Sequence, residues 1–338
     1  MKKLKKIIFR VDCNKQIGFG HIYRCLNLAN LFLKKKVKLI FIIKSFQDQY
    51  YPKIPKKIKV YKINEKIKKK NEAEIIKKIF YYENSDLLIL DTDYSFNYSE
   101  KKNKEFILAI DELSKRIIYW DNLYNPNWEI LATYRPYPNF INLGKINKNT
   151  KKIYGFDKFY QIENIKKINV KKNIAKIVLS LGGTKNCHNI KYILNSIHDY
   201  NKLLKITVLI ANKEDFRFLK KNFKKNKNIN LIFRIKNVHK VLKNSDLAIV
   251  SGGMSKYESL IHCLPSLIFN LNTFQKKINS KIFHRKIAIN VDTLKHFDKK
   301  FRSITKNYEL RKILSMNCKT LRKEYNENTV YKKFKNLI

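Results

Sequence analysis

Short apolar segments alternate with helical patterns along most of the chain, and this alternation restricts the possible fold more than any other feature. The segments that read as strands are residues 5–12, 36–44, 86–91, 116–121, 175–181, 205–211, 229–235, 246–251 and 265–270. They are apolar or β-branched nearly throughout and end in polar residues, which is typical of parallel strands covered on both faces. The alternation therefore predicts an α/β protein with parallel sheets.

The helical patterns between these segments complete the prediction. In residues 21–36 the apolar side chains fall on one face at helical spacing, and the patterns at 189–200, 214–223, 238–245 and 256–264 also fit helices. The alternation lapses between about residues 140 and 172 and then restarts. We therefore predict two doubly wound, Rossmann-like domains, at residues 1–155 and 170–310, followed by a helical tail at 311–338.

A net charge of +46, from 73 basic and 27 acidic residues, raises the possibility of nucleic-acid binding. The lysines occur in every segment and do not form one arginine-rich stripe. This dispersion favours a general lysine bias over a nucleic-acid interface, so we expect no nucleic-acid partner. The positive field should still steer anionic substrates toward the protein.

The five cysteines are scattered and contain no C-x-x-C pair, so we expect reduced thiols and neither a zinc site nor a disulfide framework. The seven histidines form no metal-ligand pattern either, and no metal or other cofactor is predicted. No apolar run reaches the length of a membrane span, and the apolar stretch after the basic N-terminus ends at Asp12. We expect a cytoplasmic monomer without membrane insertion.

Glycine placement is the strongest signal for a site. The chain has only eight glycines, and six of them form three close pairs that follow predicted strands: Gly18 and Gly20, Gly182 and Gly183, and Gly252 and Gly253. Glycine permits a positive φ or a close approach of the backbone to a ligand. Turn chemistry alone could use glycine in this way, but three pairs favour a phosphate-bearing ligand.

The first pair lies in "QIGFGHIYRC", residues 16–25. This stretch is not a dinucleotide fingerprint, because Tyr23 stands where the third glycine would be and Lys44 stands where an acidic residue would follow the second strand. No Walker A motif occurs elsewhere. His21 directly follows the pair, where it could act as a general base, although a histidine at a helix start often has no such role.

The last pair opens "SGGMSKYES", residues 251–259. Gly252 and Gly253 would let a diphosphate approach, Ser255 would add a hydroxyl, and Glu258 could bind ribose hydroxyls. Ser255 and Glu258 also have the spacing of a capping box, which would serve only the helix start. The two interpretations are compatible.

Four stretches together resemble a known family: "FRVDCNKQIGFGHIYRCLNLANLF", "LDTDY", "IVLSLGGTKN" and "NSDLAIVSGGMSKYESLIHCLPSLIF". The family is that of the UDP-sugar hydrolases of pseudaminic acid biosynthesis and the related spore-coat polysaccharide proteins. The resemblance runs from about residue 8 to 292. It implies a fold of the glycosyltransferase B type, with the active site in a cleft between two domains. It also implies metal-independent hydrolysis of a UDP-linked diacetamido-trideoxy-altropyranose to UDP and free sugar.

The same resemblance implies roles for individual residues. His21 matches the histidine that activates water at the anomeric carbon. The residues expected to bind the substrate are Asp12, Gly20, Arg24, Tyr94, Gly183, Thr184 and Gln275. Those expected to bind UDP are Gly252, Gly253, Ser255 and Glu258.

The chain departs from the family near the expected sugar site. Phe274 precedes Gln275 where the family commonly has Asn, and Asn122 follows Asp121 where it often has a second Asp. The spacing from Asp91 to Tyr94 is also one residue longer than usual. An alternative to hydrolysis is therefore a glycosyltransferase that passes the sugar from UDP to an acceptor hydroxyl of a surface polysaccharide, since a base at His21 would serve either acceptor.

Overall fold

A computed structural model describes residues 4–13, 20–44, 54–64, 66–92, 101–120, 128–135, 147–154, 169–183, 185–235, 237–253, 255–319 and 332–337. The chain divides into two compact units. The first comprises Met1–Gln161 together with Glu324–Ile338, and the second comprises Ile162–Lys323. Each unit is built around its own sheet.

The sheet of the first unit has seven strands within the described residues, all parallel, in the order β3-β2-β1-β4-β5-β6-β7. The strands are β1 (Lys6–Asp12), β2 (Lys38–Lys44), β3 (Lys59–Ile63), β4 (Leu87–Asp91), β5 (Ile117–Trp120), β6 (Ala132–Arg135) and β7 (Lys151–Tyr154). β1 and β4 are buried along nearly their whole length, as continuous apolar strands in the middle of a covered sheet must be.

The helices of the first unit are α1 (Gly20–Lys34), α2 (Lys69–Tyr82) and α3 (Lys101–Ile110), with a 3₁₀ helix at Asp111–Arg116. The apolar face of α1 is buried, as its spacing predicts. Near the end of the chain, Phe334 is fully buried and makes edge contacts with the rings of Phe32 and Tyr134. This contact ties the C-terminal residues to the first unit.

The sheet of the second unit has six described strands, again all parallel, in the order β10-β9-β8-β11-β12-β13. The strands are β8 (Lys176–Ser180), β9 (Lys205–Ile210), β10 (Ile229–Phe233), β11 (Leu247–Ser251), β12 (Ser266–Phe269) and β13 (Ile289–Val291). The helices are α4 (Cys187–Tyr200), α5 (Lys213–Phe223), α6 (Val238–Lys243), α7 (Ser255–Ile261), α8 (Thr273–His284), α9 (Phe297–Lys306) and α10 (Tyr308–Asn317), with a 3₁₀ helix at Leu294–His296.

Asparagine side chains begin several of these helices. Asn212 accepts hydrogen bonds from two backbone N–H groups at the start of α5, and Asn272 and Asn307 accept one each at α8 and α10. Such caps satisfy amide groups that have no partner inside the helix. They fix where α8 begins, and α8 supplies residues to the site described below.

The prediction of two Rossmann-like domains with parallel sheets is confirmed. All nine segments that read as strands contain strands, although the segments extend one or two residues beyond the strands at some ends. Within the described residues, no helix is both long and apolar enough to cross a membrane.

Candidate functional site

The first six strands of the first sheet and the six described strands of the second have the same order, and this order marks where a ligand can bind. In the first sheet β1 and β4 are neighbours, but the chain leaves β1 toward β2 and leaves β4 toward β5 on the opposite side. β8 and β11 stand in the same relation in the second sheet. The carboxyl ends of such strand pairs form a crevice where open α/β sheets bind ligands. Each unit therefore has one preferred position for a site.

At the switch point of the first sheet, His21 meets Asp91. Asp91 is the last residue of β4, and His21 is the second residue of α1, which follows β1. His21 Nδ1 lies 2.7 Å from Asp91 Oδ1. The Asp91 side chain is fully buried, whereas 19% of the His21 side chain remains exposed. The pair thus has an enclosed carboxylate behind an imidazole that a ligand can reach.

The chemistry of the pair follows from its hydrogen bond. A carboxylate only accepts hydrogen bonds, so the contact with Asp91 favours the tautomer in which His21 Nδ1–H donates and Nε2 keeps its lone pair. Arg24 Nη2, 3.0 Å from the same nitrogen, then donates to Asp91 Oδ1. An imidazole held in this tautomer can take a proton from a hydroxyl or a water, while the carboxylate stabilises the resulting imidazolium. The arrangement can therefore support general-base chemistry at Nε2.

Arg24 completes the cluster, one turn further along α1. Its Nε donates to Asp91 Oδ2 at 2.6 Å, and its Nη2 contacts Asp91 Oδ1. Burial by itself raises the pKa of Asp91, but the charge of Arg24 and the hydrogen bonds from Arg24 and His21 outweigh this effect and lower that pKa to about 2. Asp91 therefore remains a carboxylate. Arg24, expected from the sequence to bind substrate, is seen here holding the acid.

Cys25 also touches Asp91, with its Sγ 3.3 Å from Oδ2. Burial, with the neighbouring carboxylate, raises the pKa of this thiol well above its ordinary value. The cysteine thus stays a neutral thiol that packs beneath the pair.

Asp12, at the end of β1, belongs to a different cluster. It is 4% exposed and pairs with Arg10 Nη2 at 2.7 Å. Arg10 also pairs with Glu72 in the first turn of α2, and Glu72 pairs in turn with Lys44 at the end of β2. The network joins the ends of β1 and β2 to α2. Lys44, which argued against dinucleotide binding, is engaged within it.

At the switch point of the second sheet, two glycine pairs follow the neighbouring strands β8 and β11. Gly182 has a φ of +89°, the conformation that favours glycine. A Cβ on Gly182 would lie 3.4 Å from Ser251 Oγ, and one on Gly253 would lie 3.7 Å from the same atom. Both glycine turns thus approach the hydroxyl of Ser251, a residue only 3% exposed. Sequence reasoning did not single out this serine.

Gly252 is required for space and not for its φ. Three side-chain amides pack against it: a Cβ there would overlap Asn270 Oδ1 and would lie 2.6 Å from Asn279 Nδ2 and 2.9 Å from Gln275 Oε1. Asn279 Nδ2 donates to the Gly252 carbonyl and to Asn270. Gln275 therefore lies beside the glycine pair, although 22 positions separate it from Gly253 in the sequence.

Hydrogen bonds engage most backbone groups of the Gly252–Gly253 pair. The Gly252 N–H donates to the carbonyl of Phe269, so this N–H is not available to a ligand. The Gly253 N–H has no acceptor among the described residues. Lys256 Nζ lies 2.6 Å from the Gly252 carbonyl oxygen and 3.1 Å from that of Gly253. Lys256 is a second residue that sequence reasoning missed.

Glu258 lies on α7, close in sequence to this loop. Ser255 and Glu258 form no hydrogen bond with each other, so the capping-box alternative is not observed in this structure. Part of the Glu258 side chain is accessible, yet protein encloses most of it, and this burial raises its pKa to about 8. No hydrogen-bond or ion-pair partner for it occurs in the described part of the chain. A carboxyl group in this state can bind hydroxyl groups of a ligand.

Tyr94 and Thr184, predicted to bind substrate, lie outside the described residues, as do Gly18, Asp121 and Asn122. Gly20 is the first residue of α1, next to His21. Among the residues that are described, no group of three or more His, Cys, Asp or Glu side chains is arranged to hold a metal ion.

Comparison with solved structures identifies the class to which this architecture belongs. The chain has the glycosyltransferase B fold. It superposes on the glycotransferase of kitacinnamycin with a TM-score of 0.69 over 100% of both chains, at 9% identity. It superposes on Acinetobacter baumannii MurG with a TM-score of 0.62, covering 98% of this chain and 99% of that one, at 12% identity. A UDP complex of Staphylococcus aureus MnaA gives a TM-score of 0.67 over 99% and 98% of the chains, at 13% identity.

At the level of sequence, the chain is similar to the uncharacterized protein MJ1062 of Methanocaldococcus jannaschii. The two are 26% identical over an alignment of 291 residues, and this alignment covers 80% of this chain and 57% of that protein. The chain thus spans little more than half the length of this relative. No family model matches the chain.

Proposed function

We propose that the protein is a glycosyltransferase that uses a UDP-sugar donor. The observation that carries this proposal is the His21–Asp91 pair at the switch point of the first sheet, where an accessible imidazole is oriented by a buried carboxylate. Such a pair is suited to deprotonating a hydroxyl nucleophile. The glycosyltransferase B fold supports the proposal at the level of reaction class.

In the proposed reaction, His21 Nε2 takes the proton of the acceptor hydroxyl. The acceptor oxygen forms a bond to the anomeric carbon of the sugar, and the bond between that carbon and the β-phosphate oxygen breaks. UDP leaves with the electron pair of the broken bond. Asp91 stabilises the imidazolium until its proton is returned to solvent.

The second unit is proposed to bind the UDP. The turns at Gly182–Gly183 and Gly252–Gly253 give the phosphates close access to the backbone, Glu258 binds the ribose hydroxyls, and Gln275 contacts the donor beside Gly253. This assignment is supported by the amide cage around Gly252, formed by the side chains of Asn270, Gln275 and Asn279, and by the enclosed carboxyl group of Glu258. It requires no metal ion, because the developing charge on the diphosphate is met by N–H and hydroxyl donors.

Hydrolysis is the second candidate. The resemblance of residues 16–25 and 251–259 to UDP-sugar hydrolases favours it, and water would then take the place of the acceptor hydroxyl. The sugar would be a diacetamido-trideoxy-hexose of the pseudaminic acid type. His21 and Asp91 would have the same roles in this reaction.

Incubation with a panel of UDP-sugars, alone and with candidate acceptor sugars, tests the proposal and separates the two candidates. A transferase releases UDP at a rate that rises at least ten-fold when its acceptor is added. A hydrolase releases UDP and free sugar equally fast without any acceptor. Absence of both UDP binding and UDP release across the panel would contradict the proposal.

A further inference from the structure

The most unusual charged group of the second unit is Lys256. It is only 2% exposed, although lysine is among the residues least often buried, since its long stem normally carries the ammonium group to water. Its Nζ lies instead beneath the glycine turn, 2.6 Å from the Gly252 oxygen and 3.1 Å from the Gly253 oxygen. It also lies 4.1 Å from the centre of the Tyr257 ring.

This contact determines where the Gly253 N–H points. No cis peptide bond occurs in the described residues, and in a planar trans peptide the C=O of one residue and the N–H of the next point in opposite directions. Because Lys256 draws the Gly252 carbonyl toward itself, the Gly253 N–H is directed away from the lysine. That N–H has no acceptor among the described residues.

A neutral group could hold the carbonyl equally well, and one already does. Asn279 Nδ2 donates to the same Gly252 oxygen at 3.0 Å. The amide accounts for the position of the turn without the cost of enclosing a charge. What the lysine adds is a positive charge directly behind a backbone donor. An anion at the Gly253 N–H would be attracted by this charge through the peptide group. Because little water lies between them, the attraction is weakly screened.

We propose that Lys256 is a positioning residue for phosphate: it places a positive charge behind the Gly253 N–H, which Lys256 and Asn279 orient together through the Gly252 carbonyl, so that the turn selects ligands by the charge of their phosphate groups. The proposal rests on the proposed function in one respect, namely that the anion is the diphosphate of a nucleotide. The exposed lysines of the chain do not share this role, because none of them is enclosed beneath the glycine turn as Lys256 is.

A charge-graded series of ligands tests this role. The dissociation constants of UDP, UMP, uridine and inorganic diphosphate are measured by titration calorimetry for the wild type, Lys256→Met and Lys256→Gln. Glutamine removes the positive charge, but its amide can still donate a hydrogen bond to the Gly252 carbonyl. Lys276→Gln, at an exposed position on α8, is the matched control.

In both Lys256 variants we expect affinity to fall about ten-fold for UDP and inorganic diphosphate, about three-fold for UMP and less than about two-fold for uridine. The control should bind all four ligands as the wild type does. Should Lys256→Met fail to fold, the Gln variant alone decides, with thermal melting as the check on folding.

Two results would overturn the inference: unchanged affinities in the folded variants, or an equal loss for uridine and UDP, which would indicate a purely structural role. The proposed function fails separately. If the wild type binds inorganic diphosphate but not UDP, the assignment of the nucleotide is wrong, and the effect of the Lys256 variants on diphosphate binding still decides the inference.

Discussion

His21 and Asp91 are 70 positions apart in the sequence, and yet His21 Nδ1 lies 2.7 Å from Asp91 Oδ1 at the first switch point. Their meeting follows from strand order alone. β1 pairs with β4, and Val11 near the end of β1 lies opposite Asp91. His21, in the helix that follows β1 in the chain, is thereby brought next to the residue that ends β4.

We predict that Asp91→Asn lowers kcat on the order of 10²- to 10⁴-fold and changes the dissociation constant of UDP less than about two-fold. The amide can neither stabilise an imidazolium nor enforce the tautomer that leaves Nε2 free. Steady-state assay of UDP release, with calorimetry for binding, measures both quantities. His198→Ala, at a half-exposed histidine of α4 outside the site, is the control and should be unaffected. Near-normal turnover in a folded Asp91→Asn variant would mean that the carboxylate does not assist the base.

Glu258 gives the site a distinct dependence on pH. Burial raises its pKa from the ordinary value of 4.5 to about 8, so at neutral pH the folded protein holds a proton that the unfolded chain has released. The stabilisation from holding this proton is complete below about pH 4.5, declines as the pH rises toward 8, and is absent at higher pH.

Glu258→Gln should therefore raise the free energy of unfolding relative to the wild type, and the gain should grow between pH 5 and 8. The neutral amide keeps the uncharged state that the enclosed position favours. Thermal melts across this pH range measure the difference, with Glu309→Gln on the surface of α10 as the control. A difference that is independent of pH would show that Glu258 does not titrate in this range.

At the level of elements, the two glycine turns of the second unit serve different needs. Gly182 supplies a positive φ, whereas Gly252 supplies room for three amides that are themselves fixed by hydrogen bonds. Gly183 has neither constraint, since a Cβ there would lie 3.9 Å from the Ala211 side chain, at ordinary contact distance.

Gly252→Ala should accordingly destabilise the protein by about 1–3 kcal/mol, because the new methyl group displaces the amides. Gly183→Ala should change stability by less than about 0.5 kcal/mol. Urea unfolding followed by circular dichroism compares the two variants. Equal free energies of unfolding for both variants would show that the three amides around Gly252 can rearrange without a loss of stability.

The burial and length of a strand determine whether the sequence predicts it. The central strands were predictable because they are buried on both faces and read as continuous apolar runs. β3 was not, because "KVYKI" is an edge strand with exposed lysines that interrupt the apolar pattern. β13 has only three residues, too few for any periodicity to register.

Some residues of the candidate site were predictable from the sequence and others were not. His21, the glycine pairs and Glu258 were predictable because glycine is scarce and its pairs follow strands. Asp91 as the partner of His21, Ser251 between the glycine turns, and Lys256 beneath the loop were not, because each depends on which strands are neighbours or on which way a side chain turns. Gln275 was expected at the substrate from resemblance, and its place beside Gly253 depends on how α8 packs.

At the scale of the whole molecule, the chain repeats one strand order in two units and places different chemistry at the two switch points. The first unit has a histidine paired with a buried carboxylate, and the second has glycine turns, neutral donors and a buried lysine. In the proposed function the first pair activates the acceptor and the second set of groups binds the nucleotide. The large positive charge of the chain would favour the approach of such an anionic donor.

The rate of UDP release by His21→Ala, compared with the wild type on the UDP-sugar that the panel identifies, tests the central claim most directly. We expect a loss on the order of 10³-fold or more in kcat, with a UDP dissociation constant within about two-fold of the wild type, because the base is removed and the nucleotide site is left intact. Turnover within a few fold of the wild type would contradict the claim that His21 is the catalytic base.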